Sequence, residues 1–318
     1  GGADALNLTV TVADDDNSAF TSSSIETINI RSTGGTAGDA AFVDLGFENV
    51  SDVSLLKLRR LSDDVEIDNL QSLSTTVEIE NTATASDVTI NFDASTVSGS
   101  SDTANVTLDN STGGGDLVIN NVETIAVTAI GEDNDLNIDG STGTTVTIAG
   151  SGELNADFDA SVLTVNAASN SGGVTLVARA AGDVTYTGGS GGDTFTMGTT
   201  LTAADTIVGG AGTDTLGVTG AGAAVIPASA AVTGVETVAV TTGGGSADDT
   251  AKGDVKDNEL DAFTSTTATS VVITGAADLT INTFTAAEVT SVDASALTGK
   301  LVLTAGTEKA TYTGGSKA

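Results

Sequence analysis

The sequence contains no cysteine, no histidine and no tryptophan, and it has a single proline. Without cysteine the chain cannot form a disulfide, and it also lacks the thiolate and imidazole ligands of the usual zinc sites. The absence of histidine removes the general base of a Ser-His-Asp triad. Aromatic residues make up only 3% of the chain, so its core must consist of small apolar side chains.

Positive charge is also scarce. There are 10 Lys and Arg residues against 43 Asp and Glu residues, which gives a formal net charge of −33. Self-repulsion of this size destabilises a compact state unless cations bind to it. Nucleic acid and anionic lipid are disfavoured as partners, because both attract basic surfaces. Carboxylates and carbonyls are the oxygen ligands that calcium prefers, so we expect calcium ions as a partner.

Long apolar runs are missing as well. No run approaches the roughly 18 residues that a membrane-spanning helix needs, so we expect no membrane insertion. The sequence opens without a signal peptide. We interpret the chain as a fragment of a longer polypeptide.

Short β-branched runs are present along the whole chain. They are separated by clusters of Gly, Asn, Asp, Ser and Thr, as strands and tight turns require. Helical periodicity is nearly absent. The sequence therefore predicts an all-β fold with little or no helix, in which short strands stack into a parallel β-solenoid resembling a β-roll.

Internal repeats support that fold. The hexad Ile25-Glu26-Thr27-Ile28-Asn29-Ile30 recurs in similar form at 122–127 and 235–240. Alternate residues of a strand share a face, so we expect the Glu of each hexad to mark the solvent side without a further role. The string Thr-Tyr-Thr-Gly-Gly-Ser occurs at 185–190 and again at 311–316. We therefore predict two modules, 1–190 and 190–318, the second opening with glycine turns at 188–217.

The glycine turns carry the strongest chemical signal. Asp-Thr-apolar steps occur at 193–195, 205–207 and 214–216, and glycine runs precede the first and the third. Residues 188–196 and 209–217 both fit the nonapeptide G-G-x-G-x-D-x-U-x of calcium-binding β-rolls. Glycine allows the backbone to point carbonyl oxygens at a cation, and the Asp adds a carboxylate. The candidate calcium ligands are Asp193, Asp205, Asp214, Gly188, Gly189, Gly191, Gly209, Gly210, Gly212 and, in a similar N-terminal string, Asp4.

Two other acidic loops are weaker candidates. Asp14-Asp15-Asp16-Asn17 and Glu132-Asp133-Asn134-Asp135 are rich in oxygen ligands. Neither has the EF-hand spacing, which needs a glycine at the sixth position and a glutamate at the twelfth. For both loops a solvated turn is the favoured interpretation.

The repeat at 188–217 resembles the RTX repeats of type I-secreted bacterial proteins. The wider sequence resembles the Thr-, Ala-, Gly- and Val-rich regions of Gram-negative S-layer proteins that carry such repeats. The matching strings lie at 209–216, 234–238 and 292–299. The resemblance implies an extracellular location at the bacterial cell surface, export without an N-terminal signal, calcium-triggered folding and self-assembly into a lattice. Any contact with cell-surface polysaccharide is assigned to regions outside this fragment.

Three functions remain open at this point. The first is a structural S-layer protein that forms a lattice or filament of identical subunits. The second is a segment of an RTX adhesin or biofilm protein. The third is a polysaccharide-acting enzyme on a β-solenoid, which we disfavour because substrate stacking uses aromatics and the chain has no Trp and only two Tyr. We therefore expect no enzymatic activity.

Overall fold

The fold is described from a computed structural model. The described residues are 3–11, 21–33, 43–139, 145–178, 182–202, 204–220, 231–242, 258–260, 263–264, 267–276, 278–281, 283–304 and 309–315. Within these ranges the regular structure is entirely β-strand, and no helix of membrane-spanning length and hydrophobicity occurs. The acidic loop at 14–17 lies outside the described residues.

The chain forms two compact units, Gly1–Val174 and Thr175–Ala318. The predicted sequence division at residue 190 stays a prediction. In chain order the strands of the first unit are β1 (Ala5–Thr11), β2 (Thr21–Ser22), β3 (Thr27–Thr33), β4 (Val43–Gly46), β5 (Asn49–Val50), β6 (Leu55–Arg59), β7 (Val65–Leu70), β8 (Thr76–Glu80), β9 (Val88–Phe92), β10 (Thr103–Asp109), β11 (Asp116–Ile119), β12 (Thr124–Ile130), β13 (Asn137–Asp139), β14 (Thr145–Gly150), β15 (Leu154–Asp157) and β16 (Thr164–Asn170).

The second unit has shorter strands. In chain order they are β17 (Val174–Val177, which begins at the boundary residue), β18 (Thr185–Thr187), β19 (Thr194–Gly198), β20 (Thr206–Val208), β21 (Thr215–Gly220), β22 (Ala231–Thr233), β23 (Thr237–Thr242), β24 (Asn258–Leu260), β25 (Phe263–Thr264), β26 (Ser270–Gly275), β27 (Leu279–Ile281), β28 (Phe284–Thr285), β29 (Ser291–Asp293), β30 (Leu301–Leu303) and β31 (Thr311–Thr313).

Strands that alternate along the chain pair side by side. In the first unit one sheet has the order β1-β3-β6-β8-β10-β12-β14-β16, which we call the front sheet, and another has the order β4-β7-β9-β11-β13, which we call the back sheet. In the second unit β18, β20 and β22 pair, as do β17, β19, β21, β23, β26, β29 and β31, with smaller sheets β24-β27-β30 and β25-β28. All pairings between the described strands are parallel.

This pairing makes each unit a parallel β-solenoid. The chain adds one strand to one sheet, crosses to the other and returns, so equivalent residues of successive coils lie in register. Val106 pairs with Val127, and Val127 pairs with Ile148. The prediction of an all-β parallel solenoid is confirmed.

The core follows from strict alternation along the strands. In β10 the burial pattern alternates between partly exposed and buried residues, so Ala104, Val106 and Leu108 face inward. The coils stack these positions on similar residues, and burying each Val, Ile or Leu contributes roughly 1.5–3 kcal/mol. Few aromatic residues are needed; Tyr186 and Phe195 are fully buried in the second unit.

The corner after each of four successive front-sheet strands uses a left-handed backbone. Arg60, Asn81, Asn110 and Gly131 directly follow β6, β8, β10 and β12, and their φ angles are 49°, 53°, 51° and 79°. Glycine and asparagine tolerate this region, whereas other residues enter it at a cost. Arg60 is therefore the unexpected residue among these four stacked corner positions.

The fully buried side chain of Asn134 is neutral and forms hydrogen bonds with the backbone groups of its corner. Its Nδ2 donates to the carbonyl oxygens of Ile130 (3.0 Å) and Glu153 (3.1 Å). Its Oδ1 accepts the N–H of Ser111 at 3.2 Å. An amide both donates and accepts, so it completes this corner without any ion.

Candidate functional site

The two glycine turns of the second unit stack directly on one another. Residues 188–193 connect β18 to β19, and residues 209–214 connect β20 to β21. The Gly188 N–H donates to Val208 O at 2.8 Å, and the Ala211 N–H donates to Gly189 O at 2.9 Å. The structure therefore brings the two complete nonapeptides together as neighbouring coils.

Glycine is required in these turns because the backbones approach closely. A Cβ at Gly188 would collide with the carbonyl oxygen of Gly209, and a Cβ at Gly209 would collide with that of Gly234. Gly210 and Gly212 also have φ angles of 109° and 127°, which side chains rarely adopt. The stack places several backbone carbonyls at one corner of the unit.

Asp193 and Asp214 end the two turns and lie one coil apart. Their exposed fractions are 1% and 0%. The Asp193 N–H donates to Asp214 Oδ1 at 2.8 Å, and the Gly189 N–H donates to Asp193 Oδ2 at 2.6 Å. The Asp193 carbonyl accepts the Thr215 N–H at 2.7 Å. The Asp193 carboxylate is thus folded back into its own glycine turn, whereas the Asp214 carboxylate accepts a backbone N–H of the preceding coil.

One carboxylate oxygen in these two turns has no hydrogen-bond partner. Asp214 Oδ2 is buried and has no hydrogen-bond partner. It lies against Gly209, where an added Cβ would be only 2.6 Å from it. Burial raises the pKa of Asp214, the hydrogen bond from the Asp193 N–H opposes this, and the negative charge of Glu236 raises it further. A buried acceptor without a donor costs free energy unless something else binds it.

Asp205 lies at a different corner. It precedes β20, and its Oδ1 accepts the Val184 N–H at 2.8 Å while its Oδ2 accepts the Thr202 N–H at 2.6 Å. Both oxygens therefore have donors, and the side chain is 1% exposed. Of the three predicted aspartates, the structure brings together Asp193 and Asp214 but not Asp205.

Asp4 lies in the first unit, in front of β1. It is exposed, and its N–H donates to Glu26 Oε2 at 2.7 Å. Its carbonyl accepts the N–H groups of Glu26 and Thr27. Asp4 is therefore part of a junction between coils and not of the glycine turns.

The glutamates of the repeated hexad have a role that sequence reasoning missed. Glu26, Glu123 and Glu236 each accept a hydrogen bond from the backbone N–H of an aspartate 21 or 22 residues earlier, at 2.7–2.9 Å. These aspartates are Asp4, Asp102 and Asp214 respectively. Each glutamate is partly exposed, as expected of the solvent side, but the expectation that it has no further role is wrong because it accepts this bond between coils. The sequence did contain a signal for these bonds, because an aspartate lies 21 or 22 residues before the glutamate of each hexad.

The donors at the glycine corner are of the type that calcium prefers. Within the described ranges no group of three or more Asp or Glu residues is close enough to hold a metal ion. A cation here would use the carboxylates of Asp193 and Asp214 and otherwise backbone carbonyls of residues 188–192 and 209–213. A carboxylate oxygen that accepts one N–H keeps a lone pair, so these bonds do not prevent coordination. The unpartnered Asp214 Oδ2 fits such a ligand set.

Comparison with known proteins gives no relative. No protein-family model, no curated protein and no solved structure matches the chain. The residues of the glycine corner and the two faces of the solenoid therefore carry the functional argument by themselves.

Proposed function

We propose that this chain is a calcium-dependent structural protein of a bacterial cell-surface layer, exported from the cell and associating with copies of itself. The observation that carries the proposal is the buried, unpartnered Asp214 Oδ2 inside a stacked glycine turn. A net charge of −33 supports it, because bound cations reduce the repulsion within the folded chain.

Calcium would bind between the coils that contain Asp193 and Asp214. It would neutralise two buried carboxylates and bind carbonyl oxygens of both glycine turns, so that folding of this corner and ion binding are coupled. A ligand that binds only the folded state stabilises it by about 2.7 kcal/mol at a hundredfold excess over its dissociation constant.

The proposal is tested by thermal unfolding followed by circular dichroism in calcium, in magnesium and in EDTA. We expect calcium to raise the Tm by several degrees over EDTA, and magnesium to raise it less, because magnesium demands stricter geometry and holds its water. Equal Tm values in calcium and EDTA would contradict the calcium role.

Electron microscopy in calcium then separates two structural functions. Ordered sheets or tubes support the surface layer. Calcium-stabilised particles that remain single at high concentration favour the alternative of an RTX adhesin segment. The expectation that the chain is not an enzyme stays a prediction, which a turnover assay on polysaccharides tests.

A further inference from the structure

The front sheet of the first unit carries a concentration of positive charge. The chain has only 10 Lys and Arg residues, yet Arg31, Lys57, Arg59 and Arg60 lie on β3 and β6 or directly after β6. Asn29 pairs with Lys57 and Ile30 with Leu58, so Arg31 and Arg59 are neighbours on the outer surface. Together with Asn7 and Asn29 the three arginines line a shallow groove of about 250 Å³.

Among the described residues, two of these cations have an ion-pair partner and two do not. Lys57 Nζ lies 2.7 Å from Glu78 Oε1, and Arg59 Nη2 lies 2.8 Å from Glu80 Oε1. Over the described part of the chain, Arg31 and Arg60 form no ion pair and no side-chain hydrogen bond. Both are exposed. Within the described ranges, the Arg31 and Arg60 guanidinium groups of this groove are therefore not neutralised, although the protein is strongly acidic.

Arg60 occupies its position against the local backbone preference. Its φ is 49°, at a corner where the next coils have Asn81, Asn110 and Gly131. Such an outlier points to a role for the side chain beyond folding. Asparagine would suit this backbone better, so the arginine is not there for the stability of the corner.

The back sheet of the same coils carries the opposite charge. Asp44 on β4 pairs with Glu66 on β7, and Asp68 lies two residues further on. Asn91 Nδ2 donates to Glu66 Oε1 and to Asp68 Oδ1, both at 2.8 Å. No Lys or Arg among the described residues forms an ion pair with these carboxylates.

The back-sheet carboxylates repel one another. Burial raises the pKa of Asp44, and the charges of Asp68 and Glu48 add to it. Burial also raises the pKa of Glu66, with Asp68 and Asp44 adding. In addition, Asp44 Oδ1 is buried without a hydrogen-bond partner. This surface therefore gains from a positively charged neighbour.

We propose that the groove formed by Arg31, Arg59 and Arg60 binds a second copy of this chain through the Asp44, Glu66 and Asp68 surface of that copy. The inference deepens the proposed function and rests on its claim that copies associate. A contact between two different faces leaves one face of each subunit free for the next copy, so it builds a row or a ring of subunits. Complementary charge would set the register and speed of association.

Charge reversal tests this contact. Arg31→Glu with Arg60→Glu should weaken association by about tenfold or more, because attraction becomes repulsion. Asp44→Lys with Glu66→Lys should weaken it similarly. An equimolar mixture of the two double variants should associate again, since each reversed face then meets a face of opposite charge. Sedimentation velocity at low salt measures the association of each variant and of the mixture. The control is Lys300→Glu with Lys309→Glu, which changes the net charge by the same amount at positions outside the proposed contact.

A single variant separates association from folding. Arg60→Asn should raise the Tm, because asparagine tolerates this backbone, and should weaken association. A purely structural arginine would change only the Tm. Failure of the mixture to associate, or unchanged association of Arg31→Glu with Arg60→Glu, would overturn the inference, whereas the calcium test of the second unit would be unaffected.

Binding of the arginines to acidic residues of their own chain is the alternative, and Asp14, Asp15 and Asp16 are the acidic cluster that the sequence offers for it. Replacing the three aspartates by Asn should leave association unchanged. If this triple variant instead lowers the Tm, while the arginine variants leave sedimentation unchanged, the arginines bind their own chain and the inference is wrong.

Discussion

The corner at Asn134 in the first unit and the corner at Asp214 in the second unit have the same task, because each must satisfy the backbone where a coil turns. Asn134 donates to two carbonyls and accepts one N–H. Asp214 can only accept, and one of its oxygens finds no donor. An amide corner is therefore complete by itself, whereas a carboxylate corner has a surplus negative charge that a cation can bind.

The most disruptive change makes the first unit resemble the second. Asn134→Asp replaces a donor that faces two carbonyls with a buried negative charge, which should cost about 3–5 kcal/mol of unfolding free energy at neutral pH. Urea unfolding measures it. Asn121→Asp, at an exposed left-handed position, is the control and should change stability by less than about 0.5 kcal/mol. An equally small loss for Asn134→Asp would contradict the closed, neutral corner.

The reverse change makes the second unit resemble the first. In calcium, Asp214→Asn should lose about 2–3 kcal/mol, because the ion loses its most strongly required ligand. In EDTA the same variant should be more stable than the wild type, since it removes a buried charge and adds a donor. Thermal unfolding in both buffers measures this change of sign.

Asp205→Asn is the matched control for that experiment, because Asp205 is as buried as Asp214 but lies at the other corner of the coil. It should lower stability by similar amounts in calcium and in EDTA. A calcium-dependent loss for Asp205→Asn would place the ion at the other corner of the coil.

A smaller effect tests the close approach of the glycine turns. Gly209→Ala forces a Cβ onto the Gly234 carbonyl and should cost about 1–3 kcal/mol through overpacking. Gly217→Ala is the control, because its nearest neighbours would lie 3.7 Å away in ordinary contact. Equal stability of the two variants would contradict the close approach of Gly209 to the Gly234 carbonyl.

The smallest effect is a pH dependence of the difference between wild type and Asp214→Asn in EDTA. The raised pKa of Asp214 means that the folded state binds its proton more tightly than the unfolded state. The wild type therefore gains stability as the pH falls from neutral through the raised pKa towards the ordinary value of 3.8, whereas the variant lacks this gain. The advantage of Asn should shrink over that window, as denaturation at several pH values will measure.

Sequence reasoning predicted the fold well because alternation is a local property. Strands such as β10 and β12 alternate apolar and polar residues without interruption, and the repeated hexads indicate that equivalent strands stack. The glycine turns at 188–192 and 209–213 were predicted in the same way, since glycine is required wherever backbones approach within a Cβ radius.

Sequence reasoning did not predict the contacts that depend on which strands become neighbours in successive coils. Three Asp-Thr-apolar steps look equivalent, but successive strands go to different sheets, so only Asp193 and Asp214 stack and Asp205 does not. The junction of Glu123 with Asp102 and the neighbouring positions of Arg31 and Arg59 also require a known register. Register between coils is a long-range property that no single strand encodes.

A stack of similar coils can mispair during folding, and the hydrogen bonds of the hexad glutamates bear on this. Since most coils bury the same kind of residue, a chain that skipped or exchanged one layer would still bury apolar side chains. Glu26, Glu123 and Glu236 each accept a backbone N–H of the preceding coil, at 2.7–2.9 Å. Each glutamate therefore adds a polar bond between two particular neighbouring layers, which apolar packing alone does not supply.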